Sequence, residues 1–177
     1  MNRDPKDVDK TRKTIIRMTY VAIFGALAFV LTLFARIPYP NGQGYLNFGD
    51  AVDLLISMTI GPVEGALVGM LAGSLSDFAA DSAMFVPWTL MAKGLMGLAA
   101  GFLFMLLKKR KILRYAAPFI GSALMVMTYL VSYYVYFGLQ GTFYSLFDLI
   151  QGLVCSILAC SLHFALEKTG ILKRFAD

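Results

Sequence analysis

The chain has 177 residues, 58% apolar and only 15% charged, with a mean hydropathy of +0.68, whereas soluble domains run at about 45–50% apolar and about 25% charged. That balance excludes an ordinary soluble domain and a disordered segment, and two cysteines inside one apolar run exclude a disulfide-stapled secreted fold. The formal charge of +5 does not point to nucleic acid, because in a membrane chain lysine and arginine mark the cytoplasmic face; the composition is that of an all-α integral membrane protein.

A membrane-crossing helix needs about 20 apolar residues. Taken in chain order, the apolar runs are 15–35, 48–60, 62–80, 87–107, 115–138 and 143–166. Residues 1–14 precede them as a basic tail of a single domain spanning 1–177. The first run is too long for a signal-peptide core and lacks a small-residue cleavage pattern. The second is about a dozen residues, closed by Gly61-Pro62, so it either crosses while short and tilted or dips in and returns with the third.

Charge placement tests the topology independently. Fourteen of the sixteen basic residues fall in three clusters: Arg3 to Arg17, Lys108 to Arg114, and Lys168 with Lys173 and Arg174. Six transmembrane helices put all three on one side, with the N- and C-termini cytoplasmic. The other side then receives Asp50, Asp53, Asp77, Asp81 and Asp148 with Tyr39, Tyr45, Trp88, Tyr136, Gln140 and Tyr144. Tyrosine and tryptophan populate the membrane interface in any such protein, and Asp50 can serve as a helix cap, so no single one of these residues is diagnostic.

Lys93 is more informative, since it lies about six residues, or roughly 9 Å, inside the fourth run. A cation at the centre of a membrane helix costs about 2.5–3.5 kcal/mol, so it faces a cavity or a carboxylate. A structural ion pair with an outer aspartate and a contact to ligand are both open, and they can coexist. In the sixth run Tyr144, Asp148 and Gln151 stand at i, i+4 and i+7, one face of a helix. The fifth carries Thr128, Ser132 and Tyr133 with Tyr129 and Tyr136 nearby, although its hydroxyls can equally bond their own i−4 carbonyls. With Lys93 and Trp88 these residues can line an outward pocket whose aromatic walls stack a flat ring.

Small residues recur at Gly65, Gly69 and Gly73, at Gly94, Gly97 and Gly101, and at Ala22 and Ala26, which allows close backbone approach. The glycine rows suit packing inside the bundle, and the alanine pair suits either that or contact with another subunit. Other chemistries recede. No G-x-x-x-x-G-K-[ST] is present, so ATP-driven work needs partners. Cys155, Cys160 and His163 miss zinc-ligand spacing and read as core, with no metal expected. Gly73, Asp77 and Asp81 resemble the tail of the CDP-alcohol phosphotransferase signature, but its upstream Asp-Gly and Ala-Arg are missing, so no catalytic residue is assigned.

Asn47-Phe48-Gly49-Asp50-Ala51-Val52, Gly61-Pro62 with the glycine row and Asp77, Pro87-Trp88-Thr89, and Lys93-Gly94 together resemble the substrate-binding S components of energy-coupling factor (ECF) vitamin transporters. The match lies nearest the branch associated with riboflavin, hydroxymethylpyrimidine or pyridoxine and covers essentially the whole chain. The resemblance implies six helices in a bacterial plasma membrane and a vitamin or precursor held near the outer face. It implies as partners a transmembrane coupling (T) protein and two cytoplasmic ABC-type ATPases, which hydrolyse the ATP, with no cofactor in this chain and no enzymatic activity. The residues expected at the ligand are Asn47, Asp50, Trp88, Lys93, Tyr133, Tyr136, Asp148 and Gln151, and the resemblance maps the family's alanine docking motif onto Ala22 and Ala26. The branch favours hydroxymethylpyrimidine or pyridoxine over riboflavin. The rival readings are a self-sufficient small secondary transporter or channel acting as an oligomer, and a membrane enzyme using Asp77 and Asp81. Against the former, the two halves share no obvious motif, and Lys93 is the only basic residue well inside an apolar run, so no paired intramembrane charges are expected.

Overall fold

The computed structural model describes residues 5–38 and 45–170. Tyr39 and the terminal cations Arg3, Lys173 and Arg174 lie outside the described residues. Among those described there are six α-helices: α1 (Pro5–Phe34), α2 (Asp50–Thr59), α3 (Pro62–Ala79), α4 (Val86–Leu106), α5 (Ala117–Gly141) and α6 (Ser145–Thr169). Two short strands, β1 (Ile37–Pro38) and β2 (Tyr45–Leu46), pair antiparallel between α1 and α2.

The breaks follow from residue type. Proline near the start of α3, α4 and α5 sits where its missing N–H is not needed. Gly138 leaves helical geometry at φ 67°, kinking α5, and Gly170 closes α6 in the left-handed conformation. The expected end at 138 thus marks a kink, with helical turns beyond it. At the other terminus the expected tail is helical from Pro5. Thirty residues make α1 roughly 45 Å long, about ten residues more than a 30 Å hydrocarbon core takes up, so its charged first turns extend past that thickness.

By length and apolar content, three helical stretches among the described residues suit a bilayer: Asp7–Phe34, Ala83–Leu106, and Leu113–Thr169, which contains both α5 and α6. Helix α2 is ten residues, about 15 Å, and therefore covers half of such a core. It is buried on most sides, packing against α1, α3, α4 and α6, and its first turn carries Asp50 and Asp53, where exposed N–H groups and the helix dipole favour negative charge.

The glycine rows bring α3 and α4 into backbone contact. A Cβ at Gly97 would sit 2.5 Å from the Ala66 nitrogen, and one at Gly101 would sit 2.5 Å from the Pro62 Cα. At Gly94 the neighbour is only the end of the Met70 side chain, 3.2 Å away. Gly97→Ala therefore has to push two helices apart and is expected to cost about 1–3 kcal/mol, whereas Gly94→Ala costs much less because a methionine yields. Thermal unfolding of both variants in detergent checks this; equal midpoints would refute the tight α3–α4 contact.

Candidate functional site

A cleft opens at the end of the bundle where α2, α4 and α6 begin and α3 ends, opposite the basic α4–α5 link. Tyr45 and Asn47 enter it from the strand hairpin, Gly73 and Asp77 from α3, and Thr89 and Lys93 from α4. Tyr129 and Tyr133 of α5, Asp148 and Gln151 of α6, and Ser82 and Phe85 complete it.

Its floor is a charge-paired knot. Lys93, 2% exposed, donates from Nζ to Oδ1 of Asp50, which is fully buried. Gln151 Nε2 donates to the other Asp50 oxygen at 2.6 Å, while the backbone N–H of Asn47 donates to Gln151 Oε1, also at 2.6 Å. Asn47 Oδ1 in turn accepts from the Gly49 N–H at 2.7 Å and from Thr32 Oγ1 at 2.6 Å, an Asx-type turn that fixes the entry into α2 and ties it to α1. The buried polar groups of Lys93, Asp50, Gln151 and Asn47 thus satisfy one another, as burial demands. Asp50 thus begins α2 without capping it: Gly49 is the N-cap, and the Asp50 carboxylate serves Lys93 and Gln151.

Asp53 lies beside this pair. A Cβ at Gly69 would meet Asp53 Oδ2 at 2.9 Å and Lys93 Cβ at 3.2 Å, so the glycine makes room for both side chains.

The opposite wall is a hydroxyl relay. Tyr129 donates to Thr89 Oγ1 at 3.0 Å, Thr89 donates to Asp77 Oδ2 at 2.5 Å, and Tyr45 donates to Asp77 Oδ1 at 2.9 Å. Burial, then the adjacent Asp77 charge, pushes the Tyr45 phenol well above its ordinary pKa, so Tyr45 stays protonated as a donor. The aromatic lining is ordered by ring contacts: Tyr129 stacks on Tyr133 with centroids 6.2 Å apart, and Phe85 meets Tyr133 edge-on at 5.8 Å.

Of the residues expected at the ligand, Asn47, Lys93, Tyr133, Asp148 and Gln151 line the cleft, and Asp50 lies directly beneath it. Trp88 and Tyr136 do not line it; Trp88 Nε1 donates to the Tyr136 hydroxyl at 3.1 Å on the exposed flank. Thr128 and Ser132 spend their hydroxyls on the carbonyls of Leu124 and Tyr129. Tyr129, named from the sequence only as a neighbour of the pocket, lines the cleft, and Tyr45, Asp77, Thr89 and Phe85 join it without having been assigned to the site. The available signal was helical spacing, since Thr89 is four residues before Lys93 and Tyr129 four before Tyr133. Asp81, the other half of the phosphotransferase-like motif, is exposed at the end of α3 with φ 55° and does not join Asp77 in the cleft lining. Cys155 and His163 are buried, and no metal-holding group of His, Cys, Asp or Glu occurs among the described residues.

The profile of the ECF-type riboflavin transporter S component matches residues 12–168. The chain belongs to that family. A solved structure described as the S component of a bacterial ECF transporter superposes with a TM-score of 0.64 at 26% identity, covering 88% of this chain and 98% of that one. A Pyrococcus woesei protein, named an uncharacterized protein in the gap 3′ region, is 33% identical over 149 residues, 78% of this chain and 93% of its own length. A Streptococcus pneumoniae UPF0397 protein is 32% identical over 89 residues; that match takes in 50% of this chain and 48% of the streptococcal one. As an S component the chain is a membrane-embedded, substrate-binding subunit of a transporter, and the family implies a T component and ATPases as partners in general.

Proposed function

We propose that this S component captures a small aromatic vitamin or precursor at the outer face of the cell membrane and delivers it inward with a coupling protein and two ATPases. Residues 1–177 act as one domain that needs no cofactor of its own. Six helices lie in the membrane with both termini cytoplasmic, and α2 enters only partway. Asn47, Lys93, Tyr133, Asp148 and Gln151 contact the cargo, Asp50 braces Lys93 from below, and Trp88 and Tyr136 form the rim. Ala22 and Ala26 dock the coupling protein.

The observation that carries this reading is a cleft with stacked tyrosines on one side and a hydrogen-bonded polar floor on the other, in a chain of this family. Hydroxymethylpyrimidine or pyridoxine is the favoured cargo. The cleft is open on one side and narrow, with a volume of about 40 Å³. A single ring asks for a smaller displacement of the walls than a three-ring system. Riboflavin is the second reading, because the matching profile is that of riboflavin transporters.

Native mass spectrometry of the gently purified protein, followed by calorimetric titration with the three compounds, tests the capture role. Tight binding of one of them is expected, and failure of all three with folded protein would overturn it. Uptake into proteoliposomes should require the coupling protein and ATPases; uptake by the chain alone would favour the self-sufficient transporter.

A further inference from the structure

Charge is not balanced in this cleft. Lys93 is the cation among its lining residues, and its ammonium is directed at Asp50, with the Met125 sulfur 3.4 Å away. Two further carboxylates, Asp77 and Asp148, line the same space, and Asp53 lies under it, 2% exposed. Groups this deep in a membrane protein lack the water that would stabilise excess negative charge.

Asp77 is the exceptional one. It is buried and faces the cleft, and the hydrogen bonds it accepts come from two neutral hydroxyls, Tyr45 and Thr89. A carboxylate offers about four acceptor positions, so a ligand donor can still be received. Around it stand Tyr45 from the hairpin, Asp50 and Asp53 from α2, Thr89 and Lys93 from α4, Tyr129 from α5 and Asp148 from α6. The tyrosine faces beside it are a favourable surface for a flat cation; the Tyr129 ring already lies 5.8 Å from the Lys93 ammonium.

We propose that the cargo binds as a cation, a protonated nitrogen heterocycle whose ring N–H donates to Asp77 between the tyrosine walls. This rests on the capture reading above and names the charge state and the anchoring residue within it. One proton accompanies the ring: it is drawn from solvent onto the ring nitrogen when the free compound is neutral, and it returns when the cargo leaves.

The test is calorimetry of the full chain in lipid nanodiscs at a pH above the ring pKa of the free compounds. Hydroxymethylpyrimidine, pyridoxine, riboflavin and the carbocyclic analogues of the two one-ring compounds are each titrated in two buffers of different ionisation enthalpy. A charge-assisted hydrogen bond predicts an analogue about 10- to 100-fold weaker than its parent and uptake of about one proton per parent bound. Asp77→Asn should shrink the parent-to-analogue difference to less than about threefold. If that variant fails to fold, proton uptake by the unaltered protein decides. A weaker analogue without proton uptake would make the ring nitrogen an acceptor and overturn the proposal. Tight riboflavin binding that neither takes up a proton nor responds to Asp77→Asn would overturn it while leaving the capture role standing, and absence of binding by every compound would remove both.

Discussion

Lys93→Met is expected to destabilise the ligand-free protein by about 3–5 kcal/mol, the usual cost of removing one partner from a buried ion pair. The substitution preserves the aliphatic stem, which lies over Gly73, so the loss is electrostatic. Asp50, fully buried, would keep only Gln151 as donor on one oxygen. Asp50→Asn should cost less, because Asp53 packs over the same glycine as Lys93, and its Oδ1 has no hydrogen-bond partner; the ammonium can turn to it. The double variant Lys93→Met with Asp50→Asn removes both charges and should recover most of the single-variant loss. Thermal unfolding of all three, with and without cargo, checks the series. A Lys93→Met protein that keeps its apo midpoint would refute the stabilising role of the buried pair, and one that loses stability but binds cargo unchanged would remove Lys93 from the cargo contacts.

The elements were largely readable from residue pattern, and the site was readable in part. Hydropathy runs mark five of the six helices because lipid demands apolar length, and Gly61-Pro62 marks the break between α2 and α3, whereas the kink at Gly138 and the close of α6 at Gly170 emerge only in the fold. Lys93 stood out because a buried cation is costly. Its partner did not, because Asp50 is 43 residues away and only the packing of α2 against α4 selects it over Asp53 or Asp77. The relay of Tyr129, Thr89, Asp77 and Tyr45 was hidden for a different reason. Each of these is unremarkable alone: a tyrosine suits the membrane interface, a threonine suits bonding to its own helix, and Asp77 was paired by spacing with the exposed Asp81. Trp88 shows how local the error can be. One residue is about 100° of helix rotation, and the buried ridge of α4 runs through Thr89, Ala92, Lys93, Met96 and Gly97, which turns Trp88 to the flank. Tyr136 shares the face of Tyr133 by spacing but lies past the mouth, close to the Gly138 kink.

Replacing Ala22 and Ala26 together with leucine should lower uptake at least about tenfold in proteoliposomes containing the coupling protein and ATPases, while cargo affinity and the unfolding midpoint stay unchanged. Helix α1 turns Ala28, with Val21 and Phe24, toward a cluster containing Val52, Ile56, Val68 and Ala72. Ala22 and Ala26 fall outside that face and are exposed. Added methyl groups there displace nothing within the chain, which separates this prediction from the glycine substitutions in α3 and α4. The two alanines are one turn apart, with bulky exposed neighbours in Ile23 and Leu27, so they form a shallow notch in an otherwise ridged helix. Lipid chains fill such a notch or leave it with little cost either way. A partner helix depends on it, because in a bilayer association comes from close van der Waals contact between backbones. Two leucines would hold that helix off and remove the contact without touching the cleft some turns away. Unaltered uptake by the double variant would move the docking surface elsewhere on the molecule, and loss of cargo binding would show that α1 shapes the cleft after all, through Thr32 and its bond to Asn47.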